Sequence, residues 1–131
     1  MSLAVIGKSP ARTNKQKGKI RMQKLYIIVR ADLDAGLLLA QACHAVSAFA
    51  VAHPARHAAW HTGGRNIVVL AAPDAPALAA LLARAAAVDV DRAEFYEADL
   101  AGELTAIAVA YEAKRFVSAL PLALKRPALA A

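Results

Sequence analysis

The sequence predicts a single α/β domain in which helices flank a mixed sheet of four to five strands. Three observations support this fold class. Short β-branched apolar runs alternate with longer segments of helical periodicity, as in layered α/β proteins. The chain has 131 residues, which is the length of one domain and is enough to bury a core. The connection between the last two predicted strands is short, so we expect them to pair antiparallel within a mixed sheet.

Two strands and two helices are predicted in the first half of the chain. LYIIVR, at residues 25–30, predicts a buried strand, and NIVVLAA, from Asn66, predicts a second one. Between them, Asp34 is a suitable N-cap for a helix over about residues 35–52. Pro54 then begins another helix, which ends at the Gly-Gly pair before the second strand.

The second half of the chain continues the alternation. APDAPALAALLARAAAV predicts a helix with Asp74 as its N-cap and Pro76 in its first turn. AEFYEA, from Ala93, and LTAIAVAY, from Leu104, predict the third and fourth strands. EAKRFVSAL can form a last short helix before Pro121.

The positive charge is concentrated at the N-terminus. The formal net charge is +6, but residues 1–24 contain seven basic and no acidic residues, whereas residues 25–131 contain nine basic and ten acidic ones. A basic arm can bind phosphates by counterion release. It can equally be a passive extension, with Met22 as an alternative start. We therefore divide the chain into a basic arm (residues 1–23), a domain (24–124) and a tail (125–131).

Cysteine content and hydropathy predict a cytoplasmic protein without a membrane partner. The single Cys43 cannot form an internal disulfide, which favours a reducing compartment. No stretch reaches about 18 uninterrupted apolar residues, because polar residues interrupt the longest candidate, residues 37–52. The basic start is not followed by the apolar segment of a secretory signal.

Polar side chains lie on the apolar first helix. Gln41 and His44 share a face with Leu37, and this face borders the predicted core stripe of Leu38, Ala42, Ala45 and Phe49. Two interpretations of this pair stay open. They are either boundary side chains satisfied by backbone or water, or part of the wall of a cleft.

Three histidines recur at a spacing of four residues after this helix. His53, His57 and His61 would align on a regular helix, as zinc ligands can. Pro54 places His53 at or before the helix start, and the set contains no carboxylate. The pattern therefore gives little support to a metal site.

Acidic residues lie between the third and fourth strands. Asp99 stands in the loop at the end of a strand, where α/β sheets commonly build sites, and Glu97 and Glu103 flank it. An aspartate there can orient or deprotonate a water, or it can be an ordinary solvated turn residue. Thr105 opens the next strand. The sequence contains no GxGxxG, GxxxxGK[ST] or GxSxG motif, which disfavours nucleotide-binding and serine-hydrolase classes.

Several of these segments together resemble the archaeal/eukaryotic-type peptidyl-tRNA hydrolase family. A KLYIIVRADL strand leads into the pattern G-x-x-x-AQ-x-x-HA, formed by Gly36, Ala40-Gln41 and His44-Ala45. A Trp then precedes Gly-Gly and NIVVLA, and D-x-x-x-x-LT-x-IAV and LPLAL follow. The resemblance covers about residues 24–124.

This resemblance implies a function and a set of site residues. It implies hydrolysis of the ester between a peptide and the 3′ end of tRNA, in a homodimer that uses no cofactor or metal. It implies catalytic roles for Asp99, Thr105 and His44. It implies contacts with tRNA or peptidyl-tRNA from Gln41, Gly36 and Arg30.

The chain departs from the family pattern at two positions. The family has a catalytic Lys after the motif glycine, where this chain has Leu37, and a Thr where it has Glu103. Leu cannot stabilise developing oxyanion charge as Lys can, so we expect weakened catalysis. The near-neutral body also predicts poor tRNA affinity unless the arm supplies it. Two alternatives therefore stay open: a catalytically inactive binding or regulatory module on the same fold, and a hydrolase of another ester or amide.

Overall fold

The computed structural model describes residues 23–125 of the chain. Residues 1–22 of the predicted arm and residues 126–131 of the predicted tail lie outside the described residues. The strands are β1 (Leu25–Arg30), β2 (Ile67–Ala72), β3 (Arg92–Glu97) and β4 (Glu103–Val109). The α-helices are α1 (Ala35–Ala52), α2 (Pro54–Thr62), α3 (Ala75–Ala87) and the four-residue α4 (Lys114–Val117), and 3-10 turns lie at Ala98–Leu100 and Tyr111–Ala113.

The four strands form one mixed sheet in the order β2-β1-β4-β3, which confirms the predicted fold class. β1 pairs parallel with β2, and β4 pairs antiparallel with both β1 and β3. β1, β2 and β3 therefore point in the same direction. The crossover through α1 and the crossover through α3 run in opposite directions along the sheet. Because such crossovers are right-handed, the two helices lie on opposite faces.

The core lies between the sheet and these helices. Every residue of β1 is buried, and so is every residue of β4 after Glu103. Such continuous burial is typical of central strands that are covered on both faces. Leu38, Ala45 and Phe49 of α1 are at most 3% exposed, which confirms the stripe predicted from helical spacing.

α1 is the one helix of the described part that is long and apolar enough to cross a membrane, judged by length and composition alone. Its 18 residues place the buried stripe against the sheet, where it joins the same hydrophobic core as β1 and β4. Five of these 18 residues are buried, whereas Leu39 and Val51 are exposed, so packing in the core accounts for the apolar composition of one face of α1.

A β-bulge interrupts the pairing between β3 and β4. Phe95 is opposite Ala106 and Tyr96 is opposite Leu104, so Thr105 is an extra residue on β4 without a counterpart on β3. A bulge re-aims side chains and increases the local twist, and bulges are common beside functional sites. This one lies next to the loop that contains the predicted site carboxylate.

Candidate active site

The predicted site residues come from four segments that meet at one end of the sheet. β1 and β3 end there, β4 begins there, and α1 begins there with Asp34 at its N-cap position. The parallel order of β1 and β3 brings their carboxyl ends to the same edge, as α/β proteins do at their sites.

A buried amide connects β4 to the end of β3. Thr105 Oγ1 donates to Gln41 Oε1 at 2.5 Å, and Gln41 Nε2 donates to Glu97 Oε1 at 2.9 Å. Gln41 and Thr105 are both fully buried. The carboxylate can only accept, so the amide nitrogen must face Glu97 and the amide oxygen must face the hydroxyl. The chain of donors has one direction and ends on a carboxylate.

The β-bulge positions the first donor of this series of hydrogen bonds. As the unpaired residue of β4, Thr105 points its hydroxyl toward α1. The carbonyl of Phe95 lies 3.4 Å from the same hydroxyl and is a second, weaker acceptor. A regular ladder at this position would not leave an extra residue to meet Gln41.

Glu97 is the carboxylate that this arrangement positions. The hydrogen bond from Gln41 lowers the pKa of Glu97 below its ordinary value of 4.5, and the backbone N–H of Asp99 and the nearby charge of His44 lower it further. The N–H of Asp99 lies 3.4 Å from Glu97 Oε2. Glu97 is therefore ionised at neutral pH and can accept hydrogen bonds from a water. Glu97 flanks Asp99 in the sequence, and the family resemblance implies the catalytic role for Asp99.

His44 presents its ring at the surface beside Glu97. The imidazole stacks on Phe95, with centroids 4.4 Å apart and planes inclined by 17°. Among residues 23–125, no hydrogen bond engages its ring nitrogens, so both can reach solvent or substrate. Stacking fixes the plane of the ring, which is useful for directional proton transfer.

Asp99 and Gly36 are exposed. Neither residue makes a side-chain hydrogen bond with Gln41, Thr105 or Glu97 in the described structure. Asp99 contributes its backbone N–H to Glu97. A Cβ added to Gly36 would meet nothing within 4 Å, so the fold does not require glycine there. Leu37 is half-buried on the first turn of α1.

Arg30 is only 7% exposed and is held by acids and a carbonyl. Its Nε and one terminal nitrogen donate to the two carboxylate oxygens of Asp32, at 3.0 and 2.9 Å. Its other terminal nitrogen faces the carbonyl of Leu104 at 3.3 Å and Glu103 at 3.5 Å. Asp32 raises the pKa of Arg30, and Arg30 lowers the pKa of Asp32. Arg30 therefore ties the end of β1 to the start of β4 and is not a free cation.

The three spaced histidines do not converge. His53 Nε2 donates to the carbonyl of Arg92 at 2.8 Å, whereas His57 and His61 stack on α2 with centroids 6.3 Å apart. Within residues 23–125 there is no group of three His, Cys, Asp or Glu that could hold a metal ion.

The fold and this end of the sheet together define a class: a small α/β domain, with sheet order 2-1-4-3, that holds a carboxylate and an imidazole beside a buried amide. The family model for peptidyl-tRNA hydrolase PTH2 matches residues 23–125. The chain belongs to the peptidyl-tRNA hydrolase PTH2 family.

Solved structures show the same fold. One of them is a protein of unknown function, Atu0240, from Agrobacterium tumefaciens strain C58. It matches with a TM-score of 0.57 and 16% identity, over 76% of this chain and 96% of the other. No functionally curated protein matches the sequence.

Proposed function

We propose that the protein hydrolyses the ester between a peptide and tRNA, with Glu97 and His44 as the groups that handle the attacking water. The observation that carries this proposal is the directed chain from Thr105 through Gln41 to Glu97. Membership of a peptidyl-tRNA hydrolase family supports the choice of substrate class.

In the proposed reaction, the Glu97 carboxylate accepts a hydrogen bond from water and orients it. His44 takes a proton as the water oxygen attacks the ester carbonyl. The tetrahedral intermediate then collapses, and His44 returns the proton to the departing ribose oxygen. Gln41 and Thr105 act through Glu97 and are positioning residues. Asp99 lies two residues away on the same turn and is the second candidate for the orienting carboxylate.

Three carboxamide variants test the choice of carboxylate. We expect Glu97→Gln to lower the hydrolysis of peptidyl-tRNA by about 10²-fold or more, the usual contribution of general acid–base groups. We expect a smaller loss from Asp99→Asn. Glu94→Gln is the matched control, since Glu94 is exposed on β3 and belongs to no contact of the site. A large loss for Asp99→Asn alone would transfer the role to Asp99, and full activity of both variants would refute the proposal.

A second candidate function is a binding module without turnover, because this end of the sheet offers no free cation in the described chain. Arg30 is held by Asp32, and position 37 is Leu. Leu37→Lys would place an ammonium one turn before Gln41, on the same face of α1. If the rest of the site is competent, we expect at least a tenfold gain in hydrolysis, or about 1.4 kcal/mol of transition-state stabilisation.

Leu37→Met is the control for this gain, because it changes the side chain without adding charge. The long aliphatic stem of Lys can cover the same apolar surface as Leu, so we expect the fold to tolerate the change. If the Lys variant folds and both it and the wild type are inactive, the binding module is the better conclusion.

A further inference from the structure

A second groove opens on the face of the sheet opposite to α1. Phe95 stacks on His44 of α1. Phe95 is opposite Ala106, which is opposite Val29, so these three side chains point to the face that α1 covers. Side chains alternate along a strand, and Tyr26, three residues before Val29, therefore points to the other face. The groove that Tyr26 lines is thus separated from the candidate active site by the sheet.

The segment after α4 builds one wall of this groove. The N–H of Ala123 donates to the carbonyl of Val69 at 2.9 Å, so the segment runs along the outer edge of β2. Leu122 is opposite Leu70 in an isolated antiparallel bridge, which places the two side chains on the same face. Leu122 is 57% exposed, so the groove has an apolar rim that faces solvent.

The floor and the rim of the groove are apolar. The groove has a volume of about 260 Å³, which corresponds to roughly nine water molecules at about 30 Å³ each. Its apolar residues come from β2 and from the segment that runs beside it: Val68, Leu70, Leu120 and Leu122. A hydrocarbon group placed here would cover surface that is now exposed, as at Leu122.

The Tyr26 hydroxyl is an unused donor in this groove. Tyr26 is only 4% exposed, and its hydroxyl makes no hydrogen bond with another residue of the range 23–125. Every fully buried side-chain nitrogen or oxygen of the described chain has a partner, so this hydroxyl is not sealed in the core. Burial raises the pKa of Tyr26 above its ordinary value of 10.0. The phenol is therefore protonated at neutral pH and can donate to a ligand.

Two lysines give the groove a positive charge. Lys24 stands just before β1 and Lys114 begins α4, and both are exposed and line the groove. Within residues 23–125, neither ammonium forms an ion pair. The exposed hydroxyl of Ser118 is a further donor, and no Asp or Glu of the described chain lines the groove. These groups are the donors that a carboxylate or a phosphate accepts from.

We propose that this groove binds a small amphipathic anion, in which one carboxylate or phosphate group is joined to an unbranched hydrocarbon chain. The anionic group accepts from the Tyr26 hydroxyl and lies between Lys24 and Lys114. The hydrocarbon chain lies along β2 and covers Leu70 and Leu122. A bare phosphate would leave the apolar rim exposed, and a neutral hydrocarbon would leave the two charges and the phenol unused.

NMR titration of the full-length protein with octanoate and with octyl phosphate tests the groove directly. We expect a dissociation constant of about 1 mM or lower for at least one of them, which is reasonable for a ligand of this size. Amide shifts should concentrate at Val68, Leu70 and Ser118. Butyrate should bind at least about tenfold more weakly than octanoate, because it buries fewer methylene groups. Octylammonium, with the same chain and the opposite charge, should also bind at least about tenfold more weakly.

Tyr26→Phe is the sharpest variant, because it removes only the hydroxyl. We expect binding to weaken about tenfold, as for a lost hydrogen bond to a charged group. The thermal midpoint should stay unchanged, since the hydroxyl has no partner in the described chain. Tyr96→Phe is the matched control, because Tyr96 is exposed on β3 at the other edge of the sheet. It should bind the ligand as the wild type does.

The contribution of the lysines is tested in the same way. Lys114→Met keeps most of the aliphatic stem and removes the charge, and it should weaken binding about threefold, the size of an exposed ion pair. Lys125→Met removes the same charge from an exposed lysine that does not line the groove, so it should leave the affinity unchanged.

Several results would overturn the proposal. Octanol that binds as tightly as octanoate would show that the charges are not used, and inorganic phosphate that binds as tightly as octyl phosphate would show that the apolar floor is not used. Equal affinities of Tyr26→Phe and the wild type would remove the phenol from the site. Shifts confined to Gln41 and His44 would place the ligand at the candidate active site instead. Since none of these measurements involves hydrolysis, failure of the groove would leave the proposed reaction standing.

Discussion

A double-mutant cycle on Gln41 and Thr105 measures the coupling energy of the buried hydrogen bonds that position Glu97. Thr105→Val removes the hydroxyl and keeps the shape of the side chain, and Gln41→Met replaces the amide with an apolar chain of similar length. Both positions are fully buried, so neither side chain can exchange its lost partner for bulk water. The cycle therefore reports on the hydrogen bonds more than on packing.

The contacts of the two side chains give the loss of unfolding free energy that we expect for each variant. Thr105→Val leaves Gln41 Oε1 buried without its donor, which costs about 1–3 kcal/mol. Gln41→Met removes two hydrogen bonds, worth about 0.5–1.5 kcal/mol each, but the Thr105 hydroxyl can then turn to the Phe95 carbonyl at 3.4 Å. The double variant leaves no buried polar atom of this pair unsatisfied. We therefore expect it to be more stable than the sum of the single losses predicts, by about 1 kcal/mol.

Urea unfolding followed by circular dichroism measures the three free energies. An NMR titration of Glu97 adds a readout that a purely structural role would not change, because the amide of Gln41 is the main cause of its lowered pKa. We expect the pKa of Glu97 to rise toward 4.5 in Gln41→Met. Strictly additive losses of stability, together with an unchanged pKa of Glu97, would refute the series of hydrogen bonds from Thr105 through Gln41 to Glu97.

Three further predictions concern stability. The pKa of Glu97 is lower in the folded state than its ordinary value of 4.5, so the ionised carboxylate stabilises the folded state at pH values above 4.5. This contribution is lost as the pH falls through the folded pKa. The urea midpoints of wild type and Glu97→Gln should therefore converge between pH 6 and pH 3. Asp74→Ala should lower the free energy of unfolding by about 1 kcal/mol, because the Asp74 carboxylate caps α3 by accepting from the N–H of Ala77 at 3.0 Å. Asp34→Ala should lower it less in the same thermal unfolding experiment, since the side chain of Asp34 makes no capping hydrogen bond. Arg30→Lys should lose about 1 kcal/mol or more in urea unfolding, because an ammonium cannot reproduce the two-point contact with Asp32, and an unchanged midpoint would contradict this reasoning.

The fold could be predicted from the sequence because its signals are local. The strand beginning at Leu25 and the helix over residues 35–52 have the predicted bounds, and Asp74 caps its helix as predicted. β3 and β4 pair antiparallel across a short connection, as their spacing predicted. The last helix is shorter than its sequence suggested, since α4 has four residues and a 3-10 turn precedes it.

The site could be predicted only in part. Helical spacing placed Gln41 and His44 on one face, but it could not decide between a boundary amide and a fully buried one. That outcome depends on Thr105, whose position at a bulge is set by the register of two strands and has no local signal. Which of Glu97 and Asp99 contacts Gln41 is likewise set by packing that has no local signal in the sequence. The two residues are neighbours in sequence, and only the packing of α1 on β3 brings one of them to Gln41.

The near-neutral net charge of the domain does not describe how its charges are arranged. Nine bases and ten acids in residues 25–131 nearly cancel in the sum, which predicted poor tRNA affinity for the body. Among the described residues, Lys24 stands just before β1 and Arg30 ends that strand, about 20 Å away, whereas the Debye length is about 8 Å at physiological salt. A phosphate at Lys24 would therefore be largely screened from the acids near Arg30 and Glu97. Whether this domain attracts a polyanion depends on which end the polyanion meets, and strand direction decides which residues form that end.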